Sequence, residues 1–356
     1  MEPTNDLLSM TPGELTAYLT ALGEPAYRAK QIFPLLHRGL SPEEMTNLPA
    51  ALREKLSAVW HLPKVALKLV SAIDGTVKYL FELADGNCVE SVVMKYEHGN
   101  TVCISSQVGC RMGCKFCAST IGGKVRDLLP GELLGQVVAA QKDMGERISN
   151  IVLMGIGEPL DNYENVLKFL RLVNDPAGIN IGYRHISLST CGLVDKIEAL
   201  RKEDLPITLS VSLHAPDDET RSAIMPVNRR WGVDELLSAC RAYFASTGRR
   251  ISFEYTLISG KNDSPQNAEK LARVLNSHLR TTDATMPIHV NLIPVNEVKE
   301  TGFHHSDRAA VKRFAAILES RGIRATVRRT LGADINASCG QLRRASHTAG
   351  LNKKGI

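Results

Sequence analysis

From about residue 109 to 329 the chain alternates short apolar runs with amphipathic stretches, and this alternation restricts the fold more than any other feature. The apolar runs cover 151–154, 185–188, 207–213, 251–257, 288–293 and 325–327. Between them, residues 132–142, 163–172, 194–200, 233–244, 266–276 and 307–320 carry apolar side chains at helical spacing. Repeated strand–helix units imply a parallel sheet, because parallel neighbours need a crossover. The connections are short, so a partial or full (βα) barrel is the expected closure. No internal repeat and no low-complexity tract interrupts the pattern.

Two further regions precede it. Up to about Leu62 the chain reads as helical. Thr11-Pro12 combines a capping residue with proline at the first turn, and Leu15, Leu19 and Leu22 then fall on one face. More helix is expected at 26–37 and 50–59. Interleaved Arg28, Lys30 and Arg38 suit either an RNA-contacting helical module or a plain packing domain. Residues 63–106 read as β, with strands at 65–72, 77–83, 89–94 and 102–105. Asp74-Gly75, Asp85-Gly86 and Gly99-Asn100 supply the turns between them.

Composition excludes some classes. The chain has 356 residues, 44% hydrophobic and 23% charged, which is ordinary for a globular protein. No apolar run reaches the roughly 18 residues a membrane span needs. The first residues are acidic and lack a secretory pattern, so the cytoplasm is the expected location, where thiols stay reduced. Eight cysteines there point to metal or chemistry before disulfides. Charge is uneven: residues 321–356 hold eight Lys or Arg against one acid, Asp334. Such an end suits a phosphate-rich partner such as RNA, or is simply solvated.

The segment Cys110-Arg111-Met112-Gly113-Cys114-Lys115-Phe116-Cys117 spaces three thiols as C-x3-C-x2-C. Thiolates are the ligands of iron–sulfur clusters. Three cysteines in one loop can take three corners of a [4Fe–4S] cubane and leave one iron open, able to chelate S-adenosylmethionine (SAM). Gly109 and Gly113 let the backbone curl around such a group. A structural zinc site is the alternative, but it wants four ligands, and no second Cys pair follows.

The flanking segments narrow the reading. Cys103-Ile-Ser-Ser-Gln-Val-Gly-Cys110, Gly155-Ile-Gly-Glu-Pro-Leu160, Ser212-Leu-His-Ala-Pro216 and Asp-Ile-Asn-Ala-Ser-Cys339-Gly-Gln, with the cysteine loop, resemble the RlmN/Cfr family of radical SAM RNA adenosine methyltransferases. The likeness runs from about Leu15 to Leu342, and the stretches at Gln107–Cys110 and Cys117–Thr120 look more like the RlmN branch. It implies an α/β fold: a partial (βα)6-type radical SAM barrel with a small N-terminal helical domain and a β-hairpin extension. The implied divisions are 1–62, helical and RNA-contacting; 63–106, the hairpin extension leading into the first barrel strand; 107–330, the barrel; and 331–356, a basic segment carrying Cys339.

The resemblance also implies roles. Cys110, Cys114 and Cys117 would hold one [4Fe–4S] cluster, and Gly157, Glu158, Ser189, Ser212, Leu213, His214 and Asn296 would contact SAM. Independently of the family, these SAM positions lie at or just past strand C-terminal ends, the catalytic face of such barrels. One SAM would methylate Cys339, and a second would give a deoxyadenosyl radical that activates the S-methyl group. The resulting carbon radical would add to adenine C2. Glu90, whose carboxyl on a mostly apolar strand suits a raised pKa, would remove the ring proton, and Cys103 would resolve the adduct through a transient disulfide with Cys339. The implied substrates are an adenosine at the peptidyl transferase centre of 23S rRNA and the adenosine next to the tRNA anticodon. An electron donor such as flavodoxin or ferredoxin, a monomeric state and no membrane complete the expectation. Alternatives are Cfr-type C8 methylation, another radical SAM reaction, or a non-catalytic metal-dependent RNA-binding protein. Taken singly, Cys103 reads as an inert buried thiol, Cys339 as a surface thiol, Glu90 as a solvated strand residue and His214 as a cap. Cys88, Cys191 and Cys240 read as packing residues.

Overall fold

The structure is a computed structural model that describes residues 6–281, 284–298 and 300–337. Helices α1 (Pro12–Ala21), α2 (Tyr27–Leu36) and α3 (Ala50–Ser57) come first. At α1 the expected cap forms in full: Glu14 N donates to Thr11 Oγ1 at 3.3 Å, and Thr11 N donates to Glu14 Oε2 at 2.7 Å. Helices this short are marginal alone. They persist because Leu15, Leu19, Ile32, Phe33, Leu52 and Leu56 are buried in the same apolar core as the rest of the chain. Each such side chain contributes about 1.5–3 kcal/mol.

A ten-stranded sheet follows, in the order β1 (Lys64–Val70), β2 (Val77–Glu82), β3 (Cys88–Tyr96), β4 (Gly99–Cys103), β7 (Ile148–Leu153), β8 (Ile186–Thr190), β9 (Thr208–Ser212), β10 (Ile251–Leu257), β13 (His289–Pro294) and β14 (Arg324–Val327). Strands β1 to β4 pair antiparallel, and every pair from β4 onward is parallel. The parallel run β4 to β13 has six strands, and β14 adds a seventh at the edge. The sheet has two free edges, β1 and β14, so the barrel is partial. It nevertheless curls: Val92 of β3 and Ile293 of β13, far apart in strand order, line one pocket.

The crossovers are α4 (Pro130–Met144), α5 (Tyr163–Asn174), α6 (Val194–Leu200), α7 (Asp218–Ile224), α8 (Val233–Thr247), α9 (Pro265–Leu279) and α10 (Arg308–Ser320). Two small ladders lie outside the main sheet: β5 (Gln107–Gly109) with β6 (Lys124–Asp127), and β11 (Arg280–Thr281) with β12 (Ala284–Thr285). Neither ladder nor α7 was expected from periodicity: the ladder strands have only two to four residues, and α7, Asp-Glu-Thr-Arg-Ser-Ala-Ile, is mostly polar and shows no apolar face. The other elements fall within a few residues of their expected positions.

The two sheet faces differ. On β3, Val89 and Val93 join the main core, while Val92 and Met94 form a separate cluster with Cys103, Val152 and Met154. The first face meets the helices. The second faces the inside of the curl, where the site lies.

His37 joins the N-terminal helices to the barrel. Its ring is 2% exposed and packs 4.2 Å from Phe33, and Nδ1 accepts from Ile179 N at 3.2 Å. A Cβ on Gly178 would strike this ring, so only glycine fits there. Burial lowers the His37 pKa from 6.5 to about 4. Protonation would also turn the Nδ1 acceptor into a donor facing a donor. The unfolded chain therefore binds a proton between pH 6.5 and about 4 that the folded chain refuses, and stability rises with pH across that window. Acidification from pH 7 through the window is expected to remove up to about 3 kcal/mol through this group. In urea titrations, His37→Asn should lose less than wild type over the same range; equal losses would exclude the assignment.

Candidate active site

The cysteine loop leaves β5 at Gly109 and packs against the β5–β6 hairpin. Gly109 has φ +81°, and a Cβ there would run into the Gly123 carbonyl. Cys110 N donates to that same carbonyl at 3.1 Å, and Lys115 N donates to Ile224 O at 2.9 Å. Thr120 closes the loop, its hydroxyl donating to the carbonyls of Cys114 at 3.1 Å and Cys117 at 2.9 Å. The result is a fixed backbone with three thiols lining one pocket.

The donor set fits a bound iron–sulfur group. Burial pushes the Cys110 thiol up to about 12, with the charges of Cys117, Glu158 and Asp161 adding to it, and burial raises Cys114 further. Such thiols become thiolates only beside a cation. Ser119 Oγ is buried in the same pocket with no hydrogen-bond partner among the described residues, as a group awaiting a ligand would be. Among the described residues no three His, Cys, Asp or Glu side chains gather as they would around a single ion.

The SAM candidates divide. Gly157, Glu158, Ser189, Ser212 and His214 line the cysteine pocket. Gly157 has φ +108°, and a Cβ there would lie 2.7 Å from Gln107 N. Glu158 is 4% exposed, and its carboxylate accepts from Leu160 N at 3.0 Å and Cys191 N at 2.7 Å. Burial raises its pKa and these donors oppose the rise. A carboxylate with two amide donors keeps spare acceptor sites for an ammonium. Leu213 is fully buried, so it can offer the site only backbone, and its amide already donates to Glu254 O at 3.1 Å. His214 sits at φ +57° with Nδ1 accepting from Thr256 N at 2.8 Å, and its ring lies edge-on to Phe116 at 5.0 Å. Burial pushes its pKa down to about 3, which keeps the ring neutral. Asn296 stands apart from these, lining a second pocket.

That second pocket adjoins the first, since Ile293 and Arg328 line both. Cys103 is on its wall, 5% exposed, with Val92, Arg329, Leu331 and Ala337. Ala337 is the last described residue; Cys339 lies outside the described residues. Glu90 is 3% exposed on β3, one row from the Val92–Cys103 pair, and forms an ion pair with buried Lys78 at 3.1 Å. The solvated reading of Glu90 is therefore excluded.

Several residues escaped the sequence reading. Cys191 packs in the main core as expected, but it also lines the cysteine pocket beside Glu158, and burial drives its thiol well above the ordinary range. Its place just after Ser189, at a strand end, was the available signal. Glu254 lines the same pocket, 4% exposed, accepting from Asn291 Nδ2 at 2.7 Å, with its pKa raised by burial. Arg221 is fully buried, donating to the carbonyls of Cys191 (2.7 Å), Ser212 (3.0 Å) and Leu213 (3.0 Å) and to Asn228 Oδ1 (2.9 Å). It ties the ends of β8 and β9 together beneath the pocket.

A sequence model of the radical SAM superfamily matches residues 104–272, and one for the ribosomal RNA large subunit methyltransferase N-terminal domain matches residues 5–62. The chain is 43% identical to a crystallised radical SAM methyltransferase from Sphaerobacter thermophilus, with a TM-score of 0.88, covering 94% of this chain and 98% of that one. Fold and cysteine pocket thus define a radical SAM enzyme, a class that uses a [4Fe–4S] cluster and SAM. A Clostridium acetobutylicum protein named "probable dual-specificity RNA methyltransferase RlmN" is 51% identical, over 95% of this chain and 97% of the relative. One of the same name from Alkaliphilus oremlandii is 52% identical, over 95% and 97%. The chain belongs to the RlmN family.

Removing Arg221 tests how the pocket is held. Arg221→Leu strips donors from three buried carbonyls, at about 1–3 kcal/mol for each. The melting temperature should fall, and SAM affinity by calorimetry should weaken at least tenfold, a loss of about 1.4 kcal/mol or more. Arg221→Lys should recover only part, because an ammonium lacks the fork. Unchanged SAM affinity in folded Arg221→Leu would exclude a pocket-shaping role.

Proposed function

We propose that this chain methylates C2 of an adenosine in 23S rRNA at the peptidyl transferase centre, and of the adenosine next to the anticodon in tRNA. The observation that carries this reading is the pair of adjoining pockets. One is lined by Cys110, Cys114 and Cys117; the other has Cys103 on its wall and is bounded by the segment that runs on to Cys339. A radical generator alone needs only the first. The family's relatives, named for dual-specificity RNA methylation, support the substrate class.

In this reading Cys110, Cys114 and Cys117 hold one cluster, which when bound supplies the electron for reductive cleavage of SAM. Gly157 gives a SAM molecule close backbone approach and Glu158 accepts from its ammonium. Ser189, Ser212, neutral His214 and the Leu213 backbone shape the rest of that pocket, and Asn296 reaches in from the second. Cys339 takes a methyl group from SAM by displacement, its sulfur gaining the carbon as the sulfonium loses it. Glu90 accepts the proton that leaves adenine C2. Cys103 attacks the Cys339 sulfur, forming the transient disulfide and freeing the product.

Exposed Lys30 and Arg38 on the 1–62 module, and Arg328 and Arg329 at the second pocket, suit phosphate contacts. The 63–106 extension, the 107–330 barrel and the 331–356 segment complete the division. An acidic one-electron donor such as flavodoxin or ferredoxin, a monomer and a cytoplasmic location belong to the same proposal. Among the described residues no helix is long and apolar enough to cross a membrane.

Anaerobic incubation with SAM, dithionite and an rRNA fragment, followed by nucleoside mass spectrometry, tests the reading. 2-Methyladenosine and 5′-deoxyadenosine are expected together. 8-Methyladenosine would instead assign Cfr-type chemistry, and no 5′-deoxyadenosine would leave a binding protein. Cys103→Ala should halt with RNA covalently attached, seen as a shifted band on a denaturing gel.

A further inference from the structure

Lys78 is a charged side chain in the interior of the protein with no place in the scheme above. It lies on β2, is 1% exposed, and pairs in register with Val92 of β3, which pairs with Cys103 of β4. The three side chains therefore share one row on the inner face of the sheet. The Lys78 ammonium is 3.1 Å from Glu90 Oε2 and donates to Asn336 O at 2.8 Å. Asn336 is three residues before Cys339. One side chain thus touches both the carboxylate and the chain segment that leads to the methyl carrier.

The segment is strapped down on the same hairpin by other contacts. Ser71 Oγ donates to Asp334 Oδ1 at 2.7 Å, and Ala72 N donates to Asp334 Oδ2 at 2.9 Å. Gly332 N donates to Asp74 Oδ2 at 2.8 Å. All of these lie in the β1–β2 turn, at the near end of β2 from Lys78. The strap does not need an ammonium: it is made of backbone and neutral or anionic groups near the surface. A buried ammonium is costly before pairing, and an apolar residue would fill the same space without that cost. What the ammonium adds is a fixed distance between a carboxylate and a carbonyl.

We infer that Lys78 is a positioning residue that holds the proton acceptor Glu90 in register with the segment bearing Cys339. The inference rests on the proposed roles of Glu90 and Cys339. In the step it serves, the proton leaves adenine C2 for a Glu90 carboxylate oxygen, and the electron pair of that C–H bond stays with the ring. Nothing is oxidised or reduced in that transfer. Methylation of Cys339 precedes it and does not use Glu90, so the two can be separated by experiment.

Full-length wild type, Lys78→Gln, Lys78→Met and Glu90→Gln are compared anaerobically with SAM, dithionite and the rRNA fragment. Three quantities are read: Cys339 methylation by peptide mass spectrometry, RNA-linked protein on a denaturing gel, and free methylated adenosine. Gln keeps a donor for the Asn336 carbonyl but not the charge opposite Glu90; Met keeps neither. Lys78→Gln should methylate Cys339 within about twofold of wild type, accumulate RNA-linked protein and release at least tenfold less methylated adenosine. Glu90→Gln should show the same pattern, and the double variant should be no worse than either single, because both act on one step. Lys78→Met should share the block, with Cys339 methylation also reduced. Wild-type product release by Lys78→Gln would overturn the inference. So would loss of Cys339 methylation in Lys78→Gln in proportion to a lowered melting temperature, which marks a purely structural lysine. If wild type itself makes no methylated adenosine, it is the proposed function that fails.

Discussion

The site depends on a crossing of two backbones just beyond the ends of β4 and β7. Ile104 N donates to Val152 O at 3.0 Å, Gly155 N to Ile104 O at 3.0 Å, and Ser106 N to Ile156 O at 2.8 Å. Parallel pairing is thereby carried past the strands themselves and into the loops. A Cβ on Gly155 would lie 2.6 Å from Ile104 O, so the chains can approach only where a side chain is missing. The crossing fixes the root of the cysteine loop against the Glu158 loop. Gln107 completes it, its Oε1 accepting from Glu158 N at 3.0 Å and its Nε2 donating to Asp127 and Asp161, each at 2.8 Å. The three cysteines and the Glu158 loop, which follow different strands, acquire a common frame there.

The inner face of the sheet is polar to an extent that an ordinary core would not tolerate. Ser187 and Ser210 hydroxyls meet at 3.1 Å, Ser252 bonds both Glu254 and His289, and His289 reaches Thr326 at 3.0 Å. Each of these hydroxyl and ring groups meets a partner, as burial without one costs about 1–3 kcal/mol. The helix-facing side carries the apolar core and the stability. The inner side is thereby free to carry reactive groups, a division that an open parallel sheet with helices on one face permits.

The antiparallel extension has a corresponding role. Strands β1 to β3 prolong the sheet on the side of β4 and bring Lys78, Glu90 and Val92 beside Cys103. Their hairpin turn also receives residues 332–336 from the far end of the chain. The β1–β2 hairpin at one end of the sheet order is thus tied to the segment that follows β14 at the other, by contacts more than 250 residues apart in sequence.

Much of this was legible in the sequence. Alternating apolar runs specified a parallel sheet with helical crossovers, because side-chain period follows from backbone geometry alone. The C-x3-C-x2-C spacing pointed to thiol chemistry of the iron–sulfur kind, because ligand chemistry is local. The glycines at 109 and 113 marked tight backbone that does adopt positive φ. Sequence could not decide which residues meet across the fold. Lys78 and Glu254 lie far from the motifs and Arg221 lies five residues past one, yet nothing local distinguishes a buried ion pair or a guanidinium on carbonyls from solvated charge. For the same reason nothing showed that Cys191 also lines the cysteine pocket, or that Asn296, expected with His214 among the SAM contacts, opens on the adjoining pocket. Those relations follow from the curl and register of the sheet, set by twist and long-range packing. The sequence by itself determined the chemistry this chain can carry, and the tertiary structure decided which side chains stand together to perform it.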